Sequence, residues 1–137
     1  MEFQTYLSFD GNCRAAFETY AALFGGTLPT MLTYGEGANG LGGPEWASRI
    51  FHATLLVGDQ ELLGSDAAPG PFEPMCGFRI TLAVDSATEA RRIFDALAVE
   101  GAIRVPLQET FWSPAFGEVT DRFGVPWMIN CGSGRRA

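Results

Sequence analysis

The chain repeats itself. Ala16, Tyr20 and Leu23 stand 74 positions before Ala90, Phe94 and Leu97, Asp10 and Gly26 stand 75 before Asp85 and Gly101, and Val57-Gly58 stands 66 before Phe123-Gly124. Apolar residues and turn glycines recurring in one order describe a single supersecondary unit built twice. Each half reads strand–helix–three strands. Each helix carries one apolar stripe, so it covers one face of a sheet and leaves the other face needing a different partner. Two such modules can curl their free faces toward each other and enclose a cleft. The expected architecture is α+β: tandem βαβββ modules at 3–66 and 77–131, joined by a linker at 67–76, in one curved mixed sheet with a cleft, the whole making a single domain of 137 residues.

Local patterns place the elements. Phe3–Phe9 alternates Phe3, Thr5, Leu7 and Phe9 with Gln4, Tyr6 and Ser8, a strand signature. Asn12 is a candidate N-cap. Cys13, Phe17, Tyr20 and Phe24 recur at spacings of four, three and four, a helix stripe that stops at Gly25-Gly26. Thr27–Tyr34 is β-prone, and Gly35–Pro44, with five glycines and no periodicity, reads as a loop. Ile50–Val57 and Gln60–Ser65 read as a hairpin turned at Gly58-Asp59. Ala67–Pro74 holds three of the eight prolines. In the second half Phe78–Val84 is an apolar strand and Ser86-Ala87-Thr88-Glu89 a capping box. Ala90, Ile93, Phe94 and Leu97 form the helix stripe, ended by Gly101. Ile103–Leu107, Phe116–Thr120 and Trp127–Cys131 are short strands, and the tail 132–137 is expected to be disordered.

Composition removes several function classes. A net charge of −7 gives counter-ion release nothing to work with, so neither nucleic acid nor an anionic membrane is an expected partner. No apolar run approaches the roughly 18 residues of a membrane span, and MEFQTYLSFD has no basic n-region or apolar h-region of a signal peptide. All nine basic residues are arginine, which excludes Schiff-base and P-loop lysines. Cys13, Cys76 and Cys131 form no CxxC pair, so a structural zinc site is not expected. An odd cysteine count points to reduced thiols and a cytoplasmic location.

Several strings go further than periodicity. Tyr6-Leu7-Ser8-Phe9-Asp10-Gly11-Asn12-Cys13-Arg14, Phe24-Gly25-Gly26, Thr33-Tyr34-Gly35-Glu36, His52-Ala53-Thr54-Leu55 and Gly64-Ser65-Asp66 stand in the first half. Pro106-Leu107-Gln108-Glu109-Thr110-Phe111-Trp112 and Asp121-Arg122-Phe123-Gly124-Val125-Pro126-Trp127-Met128-Ile129-Asn130 stand in the second. On these the chain resembles the PhnB-like branch of the vicinal oxygen chelate superfamily, which includes glyoxalase I, bleomycin-resistance proteins and extradiol dioxygenases. The resemblance implies the glyoxalase/bleomycin resistance/dioxygenase fold and a homodimer, its modules able to exchange between chains across the linker. It also implies a divalent metal held by His and Glu on cleft-facing strands. Carried over residue by residue, those ligand positions fall at Gln4 (or Thr5), near Leu62, at Arg79 and near Met128. None is His, Asp or Glu, so no cofactor is expected and the usual divalent-metal positions are lost.

What remains is an aromatic cleft with a few polar groups. The apolar row Phe51, Ala53, Leu55 and Val57 suits the helix-covered face, which turns His52, the single histidine, toward the cleft. There it can act as a general base or a hydrogen-bond donor, and Glu109 is the second catalytic candidate. With Glu109 or Asp66, His52 could also hold a metal weakly. Tyr6, Arg79, Trp112, Phe116 and Trp127 are the candidate ligand-binding residues: Trp112 at a pocket rim, Trp127 opening the last strand, and Arg79 needing an anion from the protein or from a ligand. The function expected is the binding of a small organic molecule. The alternatives are a metal-dependent lyase, isomerase or dioxygenase, and a non-catalytic sequestration protein of the resistance type. The glycine loop is either a lid or a plain connection.

Overall fold

The computed structural model describes residues 1–132, and the chain divides into two units, Met1–Pro74 and Met75–Ala137. The expected disorder of the tail lies outside the described residues except at Gly132. The first unit runs β1 (Thr5–Phe9), α1 (Cys13–Phe24), β2 (Thr27–Thr33), α2 (Tyr34–Gly37), β3 (Ile50–Val57) and β4 (Gln60–Asp66). Its four strands lie in the order β1-β4-β3-β2, with β1 parallel to β4 and the other pairs antiparallel. The second unit runs β5 (Ile80–Val84), α3 (Ala87–Ala98), β6 (Ala102–Gln108), β7 (Phe116–Thr120) and β8 (Pro126–Cys131). Its order is β5-β8-β7-β6, again with one parallel pair, β5 and β8. The repeated βαβββ pattern is thus two copies of one mixed sheet, each with a helix, in an α+β chain.

Each helix buries its stripe on its own sheet. In α1 Cys13, Ala16, Phe17 and Tyr20 have no accessible surface. Opposite them lie Leu7, Ala53 and Leu55, and Gly64, where a Cβ would stand 2.9 Å from the Phe17 ring. Burying a Phe or Leu side chain is worth about 1.5–3 kcal/mol, so these few residues hold helix to sheet. In α3 Ala90, Ile93, Phe94 and Leu97 do the same against Val119, Trp127 and Ile129, and a Cβ at Gly117 would meet Phe94 at 2.8 Å. These contacts fix which strand face is covered and which is helix-free.

Local chemistry departs from the sequence reading at four places. Asn12 precedes α1 but its side chain makes no capping bond; the Cys13 N–H is taken by the Asp66 carboxylate at 3.0 Å instead. Glycine-rich 35–44 is not all loop: Thr33 and Glu36 form a reciprocal capping box that starts the single turn α2. The box expected at α3 is half made. Ser86 accepts from the Glu89 N–H at 3.1 Å, but the Glu89 carboxylate turns to Arg92. Strands β1 and β5 begin at Thr5 and Ile80 rather than Phe3 and Phe78, because their parallel ladders begin at Thr5–Leu62 and Ile80–Trp127. Phe3, beyond the ladder, is 96% exposed.

Candidate functional site

The helix-free face of the second unit carries the aromatic candidates. Gly117 faces α3, so its neighbours Phe116 and Glu118 point the other way, and with them their cross-strand partners Asn130 and Met128. Trp112 reaches this face from the loop before β7. Ser113 is buried, and its hydroxyl donates to the Ala115 carbonyl at 2.8 Å and lies 3.1 Å from that of Cys131. The Thr110 N–H bonds the Ser113 carbonyl at 2.9 Å. With Ser113 pinned inward, Trp112 is left outward, half-exposed, its ring 5.3 Å from that of Phe116 in edge-to-face contact. Phe111 stacks edge-on against Trp112 at 4.8 Å and is otherwise exposed.

Polar groups border these rings. Arg79 is part-exposed and paired with Glu118, so the anion it needs comes from the protein. Thr81 donates to the Met128 sulfur at 3.7 Å. The Asn130 Oδ1 is buried without a hydrogen-bond partner among the described residues. Sequence reasoning missed Glu118 and Asn130 as site residues. Strand parity with Phe116, on either side of Gly117, was the signal that could have found them.

In the first unit His52 stands on the face of β3 turned away from α1. Ala53 and Leu55 are buried under the helix, and His52 is on the other face. Its Nδ1 lies 3.2 Å from the Tyr6 hydroxyl, with the two rings stacked at 5.7 Å. Farther along the same face Gln4 donates to Glu61 at 2.6 Å.

Trp127 is not a pocket residue. It is 1% exposed, on the α3-covered face beside Val119 and Ile129, and its indole N–H donates to buried Asp121 at 2.8 Å. Aligning the turns alone puts Trp127 in the row of His52; the ladders show that it matches Leu62, because Thr5 pairs Leu62 where Ile80 pairs Trp127. The residue matching His52 is Phe116: Leu55 pairs Leu62, Val119 pairs Trp127, and His52 and Phe116 stand three positions before Leu55 and Val119. A slip of one residue exchanges the faces of a strand. Glu109 is exposed and makes no hydrogen bond or ion pair among the described residues, so nothing there orients its carboxylate for proton transfer.

The four positions to which the resemblance carries metal ligands hold no imidazole or carboxylate. Gln4 is engaged with Glu61, Arg79 is a cation paired with Glu118, Met128 offers a thioether, and Leu62 pairs Leu55 on the α1-covered face. Among the described residues no three His, Cys, Asp or Glu side chains gather. A hard or borderline cation needs carboxylate or imidazole donors, so no step through a metal follows from these residues.

A buried thiol, a buried phenol and the glycine loop lie elsewhere in the first unit. Burial, and then the Asp66 charge, push the Cys13 thiol up to about 12. Burial raises the Tyr34 phenol, whose hydroxyl donates to the Asp66 carbonyl at 2.7 Å. The glycine loop borders an open pocket of about 370 Å³ lined by Tyr34, Leu41, Pro44, Ala47 and loop glycines. Trp46 packs edge-on against Tyr34 at 5.2 Å, with the Arg49 guanidinium 4.2 Å above its ring.

Residues 1–130 match the family model described as 3-demethylubiquinone-9 3-methyltransferase. Protein YjdN of Escherichia coli (strain K12) is 38% identical over 141 residues, covering 95% of each chain. Protein PA1353 from Pseudomonas aeruginosa is 46% identical, covering 96% of this chain and 97% of its own, with a TM-score of 0.88. A putative 3-demethylubiquinone-9 3-methyltransferase, PhnB protein, from Bacillus cereus is 26% identical, covering 96% and 100%, with a TM-score of 0.79.

Proposed function

The chain belongs to the 3-demethylubiquinone-9 3-methyltransferase family, in its PhnB-like branch on a glyoxalase/bleomycin-resistance fold, and from that premise we propose that it binds a small, flat organic molecule on the helix-free face of the second unit. The observation that carries this is Trp112. A large indole half-exposed over Phe116 costs solvation unless something else covers it, and small-molecule sites are mostly aromatic walls with a few polar groups. Asn130 supplies an unpaired acceptor beside that wall, and the Arg79–Glu118 pair supplies charge at its border. Methyl transfer is not the reading. Nucleoside methyl donors are commonly held in the crevice of a doubly wound parallel sheet, whereas each sheet here has a single parallel pair.

The test is a thermal-shift screen of planar aromatic compounds with and without chelator. Stabilisation is expected to be chelator-independent. Trp112→Ala should weaken the best binder by about 2 kcal/mol, roughly thirtyfold, while leaving the unliganded melting temperature within a few degrees. Unchanged affinity in that variant would sink the reading.

The reading includes a cytoplasmic homodimer. Ile103 stays about half exposed, large apolar area of the kind that a second copy can cover. No helix among the described residues is long and apolar enough to cross a membrane.

A further inference from the structure

We infer that Tyr6 and His52 form a pre-set hydrogen-bond donor for an uncharged, carbonyl-bearing ligand, with the proton held on His52 Nε2. The Tyr6 hydroxyl and His52 Nδ1 are 3.2 Å apart, and the stacked rings limit swivelling of either group. Which partner donates follows from chemistry. A phenol oxygen spreads its lone pair into the ring, making it a good donor and a poor acceptor; the bare nitrogen of neutral imidazole is the better acceptor. Tyr6 therefore donates to Nδ1, and the ring proton resides on Nε2, which becomes an N–H donor rather than a base.

The surroundings select the ligand's charge. On the helix-free face of β1–β4 the one ionised side chain among the described residues is Glu61, already bonded to Gln4. No cation there would draw an anion, and Glu61 repels one. The hydroxyls of Thr30 and Thr54, cross-strand partners on the His52 face, add neutral polar groups. A neutral acceptor such as a ketone or amide carbonyl matches one N–H among hydroxyls.

The ligand half of this inference concerns the first unit's own helix-free face and takes from the small-molecule reading above only that the chain binds a small organic molecule; the tautomer half stands without it. His52 is the single histidine, so its imidazole nitrogens give one unambiguous pair of ¹⁵N signals. In histidine-labelled protein at about pH 8.5, above the ordinary imidazole range, long-range proton–nitrogen spectra should show Nε2 protonated and Nδ1 bare. Tyr6→Phe should shift the ring toward a mixture of tautomers. A protonated Nδ1 in the unaltered protein overturns the inference, as does a Tyr6→Phe spectrum identical to it. Titrating acetophenone should move the Nε2 signal, whereas ethylbenzene, of similar shape without the carbonyl, should not. Equal movement with both, or none with acetophenone, refutes the donor role. If Trp112-dependent binding of planar compounds survives such a result, only this inference fails; if that binding is absent too, the small-molecule reading fails with it.

Discussion

Asp66 shows how much one side chain can organise and how little of it is local. It is 1% exposed; its carboxylate accepts the Cys13 N–H at 3.0 Å and the Ile50 N–H at 2.8 Å, while its carbonyl receives the Tyr34 hydroxyl. One residue thus closes the start of α1, the start of β3 and the base of the glycine loop. Asp66→Ala would strand two buried N–H groups at about 1–3 kcal/mol each, so a loss of about 3 kcal/mol or more in chemical denaturation is expected. A loss under 1 kcal/mol would show that water replaces it. The same charge acts on Cys13. With the folded thiol near 12 and an ordinary value of 9.0, the unfolded chain sheds its proton first, so stability present below pH 9 falls by about 1.4 kcal/mol per pH unit above it. Cys13→Ala should flatten that slope in denaturation curves between about pH 9 and 11. None of this was legible in the sequence. Asn12 looked like the cap because it is adjacent, whereas the group that does the work comes 53 positions later.

Whole elements were easier to read, because helix stripes and strand alternation are short-range. Both long helices lie where their apolar spacings put them, Cys13–Phe24 and Ala87–Ala98. The repeated glycines have a packing cause. A Cβ on Gly26 would stand 2.7 Å from the Leu56 carbonyl oxygen, and one on Gly101 would stand 2.5 Å from that of Thr120. Both mark a chain leaving a helix and pressing against backbone. Backbone cannot yield as a side-chain tip can, so Gly101→Ala should destabilise by about 1–3 kcal/mol, visible as a lowered melting temperature. An unchanged melting temperature would mean that the helix exit shifts freely. Register was the part that could not be read. Turn glycines align β4 with β8 only to within one residue, and one residue decides the face, which is why Trp127 belongs to the core while Phe116 takes the position of His52. A further regularity concerns the edges: β2 and β6, outermost in their sheets, carry Pro29 and Pro106, each where the ladder breaks register. A proline there removes a donor and discourages pairing with another chain, leaving β1 and β5 as the proline-free outer strands.

For the molecule as a whole, the two-unit plan and the acidic charge pull association in opposite directions. Each sheet has one face covered by its helix, and large apolar side chains such as Ile103, 53% exposed, remain on the surface. Covering them favours a second copy by about 25 cal/mol per Å². Against this, each chain carries −7, and two like-charged chains repel over distances that salt screens, about 10 Å at 0.1 M and 3 Å at 1 M. Apolar burial is not weakened by salt, so a dimer held by apolar surface and opposed by net charge must tighten as salt rises. The expected elution mass is near twice 14.8 kDa at micromolar concentration, with any dissociation confined to low ionic strength. Dissociation by added salt would place ion pairs at the contact instead of the apolar side chains named here. A mass of 14.8 kDa at high salt would leave the surface to be covered by something other than a second copy.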